Sequence, residues 1–331
     1  MVRPFSHSAK VRSRGYSTPL QRRITDFGAD VPFGKIANKF KEHYGIDVPI
    51  TTACRITEAH GEKVAGLQER LHEIPETRGA IYVVAEMDGS MIPVVATGQS
   101  SQSSGCHDRR KDRRVEWKEA RLTLAHSKGC VSPVYGVTLG GADQAGDLLL
   151  DCAIRAGCGA ITRVHCVGDG AQWIADQVSR VFALQADCLI DFSHLCEYLA
   201  AAAPVCAPAA PKEWVEQQKT KMKDNQVSQV LEILEKHKEP ESAAKDAPVR
   251  KCYQYISNRQ HQFDYKGALK ADLPIGSGEV ESGHRYIIQD RLKRPGAWWK
   301  KENANSMLAL RVLRANHGWD AYWDSQFQHA A

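Results

Sequence analysis

The sequence contains no Cys-x-x-Cys pair and no paired Cys/His spacing of zinc-finger type, although it holds ten cysteines. That excludes the common thiolate zinc sites and a thioredoxin-like motif. No run of about 18 or more apolar residues occurs, so no membrane span is expected. The basic N-terminus is not followed by an apolar stretch, which argues against a secretory signal. The cysteines are then expected to be reduced thiols in a cytoplasmic protein, used mostly as small buried residues. No internal repeat is present. Acids are absent from the first 25 residues, which carry Arg3, Lys10, Arg12, Arg14, Arg22 and Arg23.

What is present describes an ordinary globular chain. Its 331 residues are 43% hydrophobic and 25% charged, enough for two or three domains with at least one full core. The net charge of +5 is unevenly placed. A second basic run, over 285–314, holds Arg285, Arg291, Lys293, Arg294, Lys300, Lys301, Arg311 and Arg314 against two acids. Both runs suit contact with phosphates. Trp298 and Trp299, beside Arg294 and Lys300, could stack on an unpaired base. Trp319 and Trp323 are expected to pack the C-terminal helices onto a core.

The periodicity divides the chain. Residues 1–18 read as a flexible basic arm. Residues 19–77 read as short helices of helix-turn-helix type, with Thr51 or Thr52 capping the third. That third helix would offer Thr51, Thr52 and Arg55 to a DNA groove. Glu58, one turn on from Arg55, counts against that placement. Residues 60–76 read as a linking helix. IYVVAEM (81–87) and MIPVVATG (91–98) then read as strands paired across an Asp88-Gly89 turn. A polar loop (99–105), a charged segment and a strand near 115–125 follow. Helix 142–156, strand 161–167, helix 171–182 and strand 187–192 complete the alternation. Residues 193–248 read as a helical insertion, with Val227, Val230, Leu231 and Leu234 on one helix face. Three strands followed by helix, strand, helix, strand predict an α/β fold, a mixed sheet flanked by helices. The order fits a ribonuclease H-like core, here 78–192 and 249–300, with a C-terminal helical segment over 301–331.

Three acids carry the chemistry. Asp88 and Asp169 each close an apolar strand before a glycine, and Glu281 opens a helix after Gly276-Ser277-Gly278. Three hard oxygen ligands from distant parts of a chain can hold Mg²⁺ or Mn²⁺. Two such ions about 3.5–4 Å apart serve phosphoryl transfer. Glu279 competes with Glu281: two residues apart on a helix, they point about 200° apart and cannot both face one site.

These segments resemble a known family. GSGEVES at 276–282, RLKRPGAWW at 291–299, NHGWDAYW at 316–323, VGDGAQWI at 167–174, LIDFSHLCEYL at 189–199 and EMDG at 86–89 look like bacterial insertion-sequence transposases of the ISKra type. The resemblance runs from about Gln21 to Trp323. It implies a DDE transposase with a ribonuclease H-like catalytic domain and a divalent-metal site. In the family pattern the catalytic acid is the Glu before Ser, here Glu281, and the two aspartates fall on Asp88 and Asp169. Asp191 and His194 are similar to an Asp-x-x-His feature of the wider Mutator-like group, in which His194 could orient a phosphate or shuttle a proton. Ser193 departs from that pattern, which usually has an aromatic there.

The expected function is therefore DNA strand cleavage and transfer at insertion-sequence ends. The expected cofactors are two Mg²⁺ (or Mn²⁺) ions. The expected partners are double-stranded DNA, as terminal inverted repeats and target, and a second copy of the chain, because two ends are handled together. Nucleoid association would follow. Two other classes fit the same residues: a DNA-binding protein that keeps the fold without catalysis, and a ribonuclease H-like nuclease that cuts without joining.

Overall fold

The computed structural model describes residues 15–67, 69–97, 113–242 and 247–328. The arm up to residue 14, with Arg12 and Arg14, lies outside the described residues. So do the polar loop 99–105, the start of the charged segment after it, and part of the expected 241–248 linker.

Three helices come first: α1 (Thr18–Asp30), α2 (Phe33–Tyr44) and α3 (Ile50–Gly66). Ile24, Ile36, Phe40 and Ala53 form their shared core. Two local expectations fail. α3 starts directly after Pro49, so Thr51 and Thr52 lie inside it and neither caps it. Proline presets the backbone for a helix start without a side-chain cap. The separate helix expected over 60–76 does not form either. α3 itself runs to Gly66, and no helix covers 69–81. Pro75 opposes helix there, and α4 (Ala142–Arg155) holds the segment instead. Leu71 N–H donates to Asp151 Oδ1 at 2.8 Å, and Arg155 Nη2 donates to the Glu69 carbonyl at 2.7 Å.

The strands are β1 (Tyr82–Thr97), β2 (Arg113–Ser127) and β3 (Val134–Thr138), then β4 (Arg163–Gly168) after α4 and β5 (Ala186–Ile190) after α5 (Gln172–Phe182). They form one five-stranded sheet in the order β3-β2-β1-β4-β5. β1 is central, antiparallel to β2 and parallel to β4, and β5 is parallel to β4. The fold is α/β, an open mixed sheet with helices on both faces. The expected hairpin at Asp88-Gly89 is wrong. Residues 82–97 are one strand, with Asp88 opposite Leu122 and Gly89 opposite Arg121. A two-residue Asp-Gly turn needs positive φ at both residues. Here the alternation runs straight through, and Val84, Glu86, Asp88, Ser90 and Ile92 share one face. β3, only five residues long, was not anticipated because so short a run gives little periodicity.

On one face, Val83, Ala85 and Met87 pack against α4 and α5 through Leu149, Cys152, Ile174 and Val178. On the other face, Val84, Leu189 and Ile190 support the helices after β5. These are α6 (Phe192–Cys206), α7 (Pro211–Lys223), α8 (Val227–Lys236), α9 (Pro248–Ser257) and α10 (Tyr265–Lys270). Trp214, Gln218 and Met222 bury one stripe of α7, and Val230 and Leu234 bury α8. Among the described residues no helix is long and apolar enough to cross a membrane.

The chain ends in α11 (Gly278–Gly283), a π-turn over His284–Gln289, a short helical turn to Leu292, α12 (Lys301–Ala315) and α13 (Trp319–Gln328). The N-terminal helices and this segment are not separate units, as a division at 77 and 301 would have them. Ala29 and Val64 share one core with Trp299, Leu308 and Trp323. His60 of α3 lies 4.5 Å from the ring of the fully buried Trp323 and bonds Tyr322 Oη at 2.6 Å. At Gly61, α3 touches α12: a Cβ there would sit 2.5 Å from the Ser306 carbonyl oxygen. Gly61→Ala is expected to cost about 2–3 kcal/mol, read as a lower urea midpoint at unchanged slope.

The second basic run is only partly a surface. Arg291 and Arg311 are buried. Arg291 Nε donates to the Gly28 carbonyl at 3.0 Å, Arg311 Nη1 to Asp30 Oδ1 at 2.6 Å, and Arg314 pairs with Asp26 and Asp30. These three cations satisfy the C-terminal end of α1, whose last carbonyls lack helical partners.

Candidate active site

The parallel pairing of β1 with β4 ends at Glu86 opposite Val167. Asp88 and Asp169 each lie two residues beyond that last pair, at the same end of the parallel ladder. Asp88 is thus a mid-strand residue at the end of the parallel pairing. Asp169 follows the last residue of β4. Its Oδ1 accepts the Ala171 N–H at 2.8 Å, and Gly170 takes φ 84. A side chain at Gly170 would be strained by that backbone and would meet Ile190 at 2.8 Å. α9 and the residues just after it grip the turn from outside: Tyr255 Oη donates to the Asp169 carbonyl and Arg259 Nε to the Gly170 carbonyl, both at 2.7 Å.

Glu281 arrives on α11, which packs on β1 and β2. Two buried carboxylates anchor that helix. Asp191, at the end of β5, caps α6 by accepting the His194 N–H at 3.0 Å. Its other oxygen accepts the Ser277 N–H at 2.7 Å and the Ser277 hydroxyl. Burial alone would raise the Asp191 carboxyl, but these bonds outweigh it and hold it below the ordinary carboxylate value. Glu86 accepts the Val280 N–H on Oε2 at 2.7 Å. Burial pushes its carboxyl up to about 8, against the pull of that N–H and with a further push from Glu279.

The structure separates Glu279 from Glu281. Glu279 turns toward His126, 3.1 Å away, and its carboxylate raises the imidazole's affinity for a proton. Glu281 is exposed and has no side-chain partner among the described residues. Asp88 holds the Gly89 N–H on Oδ1 at 2.7 Å, and its Oδ2 lies 3.2 Å from Nε2 of the buried His284. Glu86, Asp191, Ser277 and His284 were not singled out as parts of this site from sequence, apart from the Asp191 motif. Spacing could have found two of them: Glu86 shares the strand face of Asp88, and His284 lies one turn after Glu281. Among the described residues no three acidic, His or Cys side chains are drawn into one metal-holding group.

His194 makes no hydrogen bond or ion pair with any of the three acids among the described residues. Its ring approaches Glu197 at 3.9 Å and Tyr198 at 6.2 Å between centroids. It lines a cleft with Tyr198, Ala201, Pro248 and Lys251. Of the expected DNA-contact residues, Arg22 is engaged by Asp320, and Arg294 reaches the Asp290 and Asp30 carbonyls. Arg23, Arg55, Arg285, Lys293, Trp298 and Lys300 lie on the surface, with Arg294 half-buried beside them. Glu58 does not face outward beside Arg55 as a repelling acid, because Asn303 Nδ2 donates to its Oε1 at 2.6 Å. Trp298, Lys300, Cys54 and Glu58 line one cleft of about 400 Å³ between α3 and the loop before α12.

Comparison with protein-family models and with curated proteins finds no match to this chain. The functional reading stands on the residues and their placement.

Proposed function

We propose that the protein is a DDE-type DNA transposase with a ribonuclease H-like core, acting on insertion-sequence ends. The reading is carried by Asp88 and Asp169, each two residues beyond the last pair of the parallel β1–β4 ladder, with Glu281 on a helix tied to the same central strand. The donor set suits a hard divalent cation. Asp88 and Asp169 each give one oxygen to a backbone N–H and retain free lone pairs, while Glu281 is unengaged. When bound, two Mg²⁺ or Mn²⁺ ions supply charge neutralisation at the phosphodiester and an activated oxygen nucleophile.

The chain's own residues prepare that site. Gly170 and α9 fix the backbone from which Asp169 projects, and Asp191 fixes the loop from which α11 starts. Arg285, Lys293 and Lys300 lie on the segments that flank Glu281 and would meet the DNA backbone. Arg55, exposed on α3, and Trp298, which lines the cleft with Cys54 and Glu58 of that helix, would contact the ends. His194 would orient a phosphate or the flanking strand, or shuttle a proton. Two element ends call for two copies of the chain.

The test is a strand-transfer assay on DNA carrying the element's terminal repeats. Joined products with Mg²⁺ support the transposase; cleavage without joining supports a nuclease; tight binding with neither supports a binding protein. End-binding also separates the cations. Lys300→Ala is expected to weaken binding uniformly across sequences and to lower the salt slope by about one. Arg22→Ala, whose guanidinium is already held by Asp320, is expected to leave the slope unchanged. Fluorescence anisotropy over a range of salt checks both.

A further inference from the structure

Glu281 is held to β1 from both sides. Just before it, the Val280 N–H is bound by Glu86. Three residues after it, His284 Nε2 lies 3.2 Å from Asp88 Oδ2. His284 is 2% exposed; among the described residues Nδ1 has no hydrogen-bond partner, and Nε2 has only Asp88 Oδ2 within reach, at 3.2 Å and imperfectly aligned. A buried imidazole in that state costs free energy, so simple packing would favour an apolar residue there. It also opens the π-turn His284–Gln289. Such turns are rare inside helices and are frequent at functional sites. The other oxygen of Asp88 is taken by the Gly89 N–H. The carboxylate is thus met on one side by its own strand and on the other by the segment that carries Glu281.

From this geometry we infer that His284 is a positioning residue, whose Nε2–H donates to Asp88 Oδ2. That bond fixes the rotamer of Asp88 and docks the Glu281 segment on β1 at once. Each Asp88 oxygen keeps a second lone pair for a cation. Outer partners of this kind orient ligating carboxylates, and their loss weakens metal affinity. The inference rests on the reading of Asp88 and Glu281 as one metal-binding set.

The test uses the full chain labelled with [¹⁵N]histidine. Resonances lost in His284→Gln identify His284. Its Nε2 is expected to be protonated in the wild type, with a shift that moves in Asp88→Asn; a signal indifferent to Asp88→Asn overturns the tie. Mn²⁺ alone then probes the consequence by calorimetry. His284→Leu is expected to bind Mn²⁺ about 10–100-fold more weakly. His284→Gln, whose amide can still donate, recovers most of the loss, and metal-free melting temperatures stay alike. Equal Mn²⁺ affinity in wild type and His284→Leu overturns the positioning role. Should His284→Leu not fold, the nitrogen shifts of wild type against Asp88→Asn decide. Equal Mn²⁺ binding by wild type and Asp88→Asn overturns the metal-site reading, and the positioning role with it, while the nitrogen shifts still report whether the tie exists.

Discussion

Asp88→Asn is expected to lower Mg²⁺-dependent nicking of terminal-repeat DNA by on the order of 10³-fold or more, with end-binding retained. The substitution keeps the shape and the acceptor for the Gly89 N–H but removes the charge. Stabilisation of the transferring phosphate by metal is worth several kcal/mol, and about 4 kcal/mol corresponds to that factor. Fold should survive, because Asp88 is only half-buried and β1 is held by its ladders to β2 and β4. Single-turnover nicking, with binding measured on the same preparation, separates lost chemistry from lost recognition.

The second large effect concerns stability and pH. Glu86 is 1% exposed, and burial lifts its carboxyl from 4.5 to about 8. Below pH 4.5 the group is protonated in both folded and unfolded chains, and its stabilising proton is fully in place. Between 4.5 and 8 the unfolded chain loses that proton while the folded chain keeps it, so stability falls as pH rises. Above about 8 the loss is complete. Glu86→Gln keeps an acceptor for the Val280 N–H and cannot ionise. It is expected to match the wild type near pH 4.5 and to exceed it by on the order of 3 kcal/mol at pH 8.5. Urea unfolding of both proteins across this range checks the difference, in which other titrating groups cancel. A difference that does not change with pH would mean that Glu86 is ionised in the folded chain.

Glu86 also marks what a sequence reading leaves out. The alternation of helix and strand from residue 142 to 190 was legible, because each element there is long enough to show its period. So was the placement of Asp169 before a turn glycine. Asp88 was found for the wrong reason. The Asp-Gly pair signals a turn locally, but pairing with a fifteen-residue β2 keeps the strand straight. Charge counting misjudged Arg291, Arg311 and Arg314, because a basic run does not reveal which members face the carbonyl end of α1. The anchors of α11 were hidden more deeply. Asp191 and Ser277 are 86 residues apart and Glu86 and Val280 are 194 apart, so only the folded chain brings them together. The N-terminal helices illustrate the same limit. Their existence was readable, yet their core is shared with α12 and α13, some 250 residues later, through contacts such as His60 with Tyr322.

The most direct measurement is Mg²⁺-dependent nicking of terminal-repeat DNA by the wild type beside Asp169→Asn, Glu281→Gln and Glu279→Gln. The account predicts nicking that leaves a 3′-hydroxyl in the wild type and in Glu279→Gln, and its loss in Asp169→Asn and Glu281→Gln. Loss in Glu279→Gln with activity kept in Glu281→Gln, or tight end-binding without nicking in every protein, would contradict it.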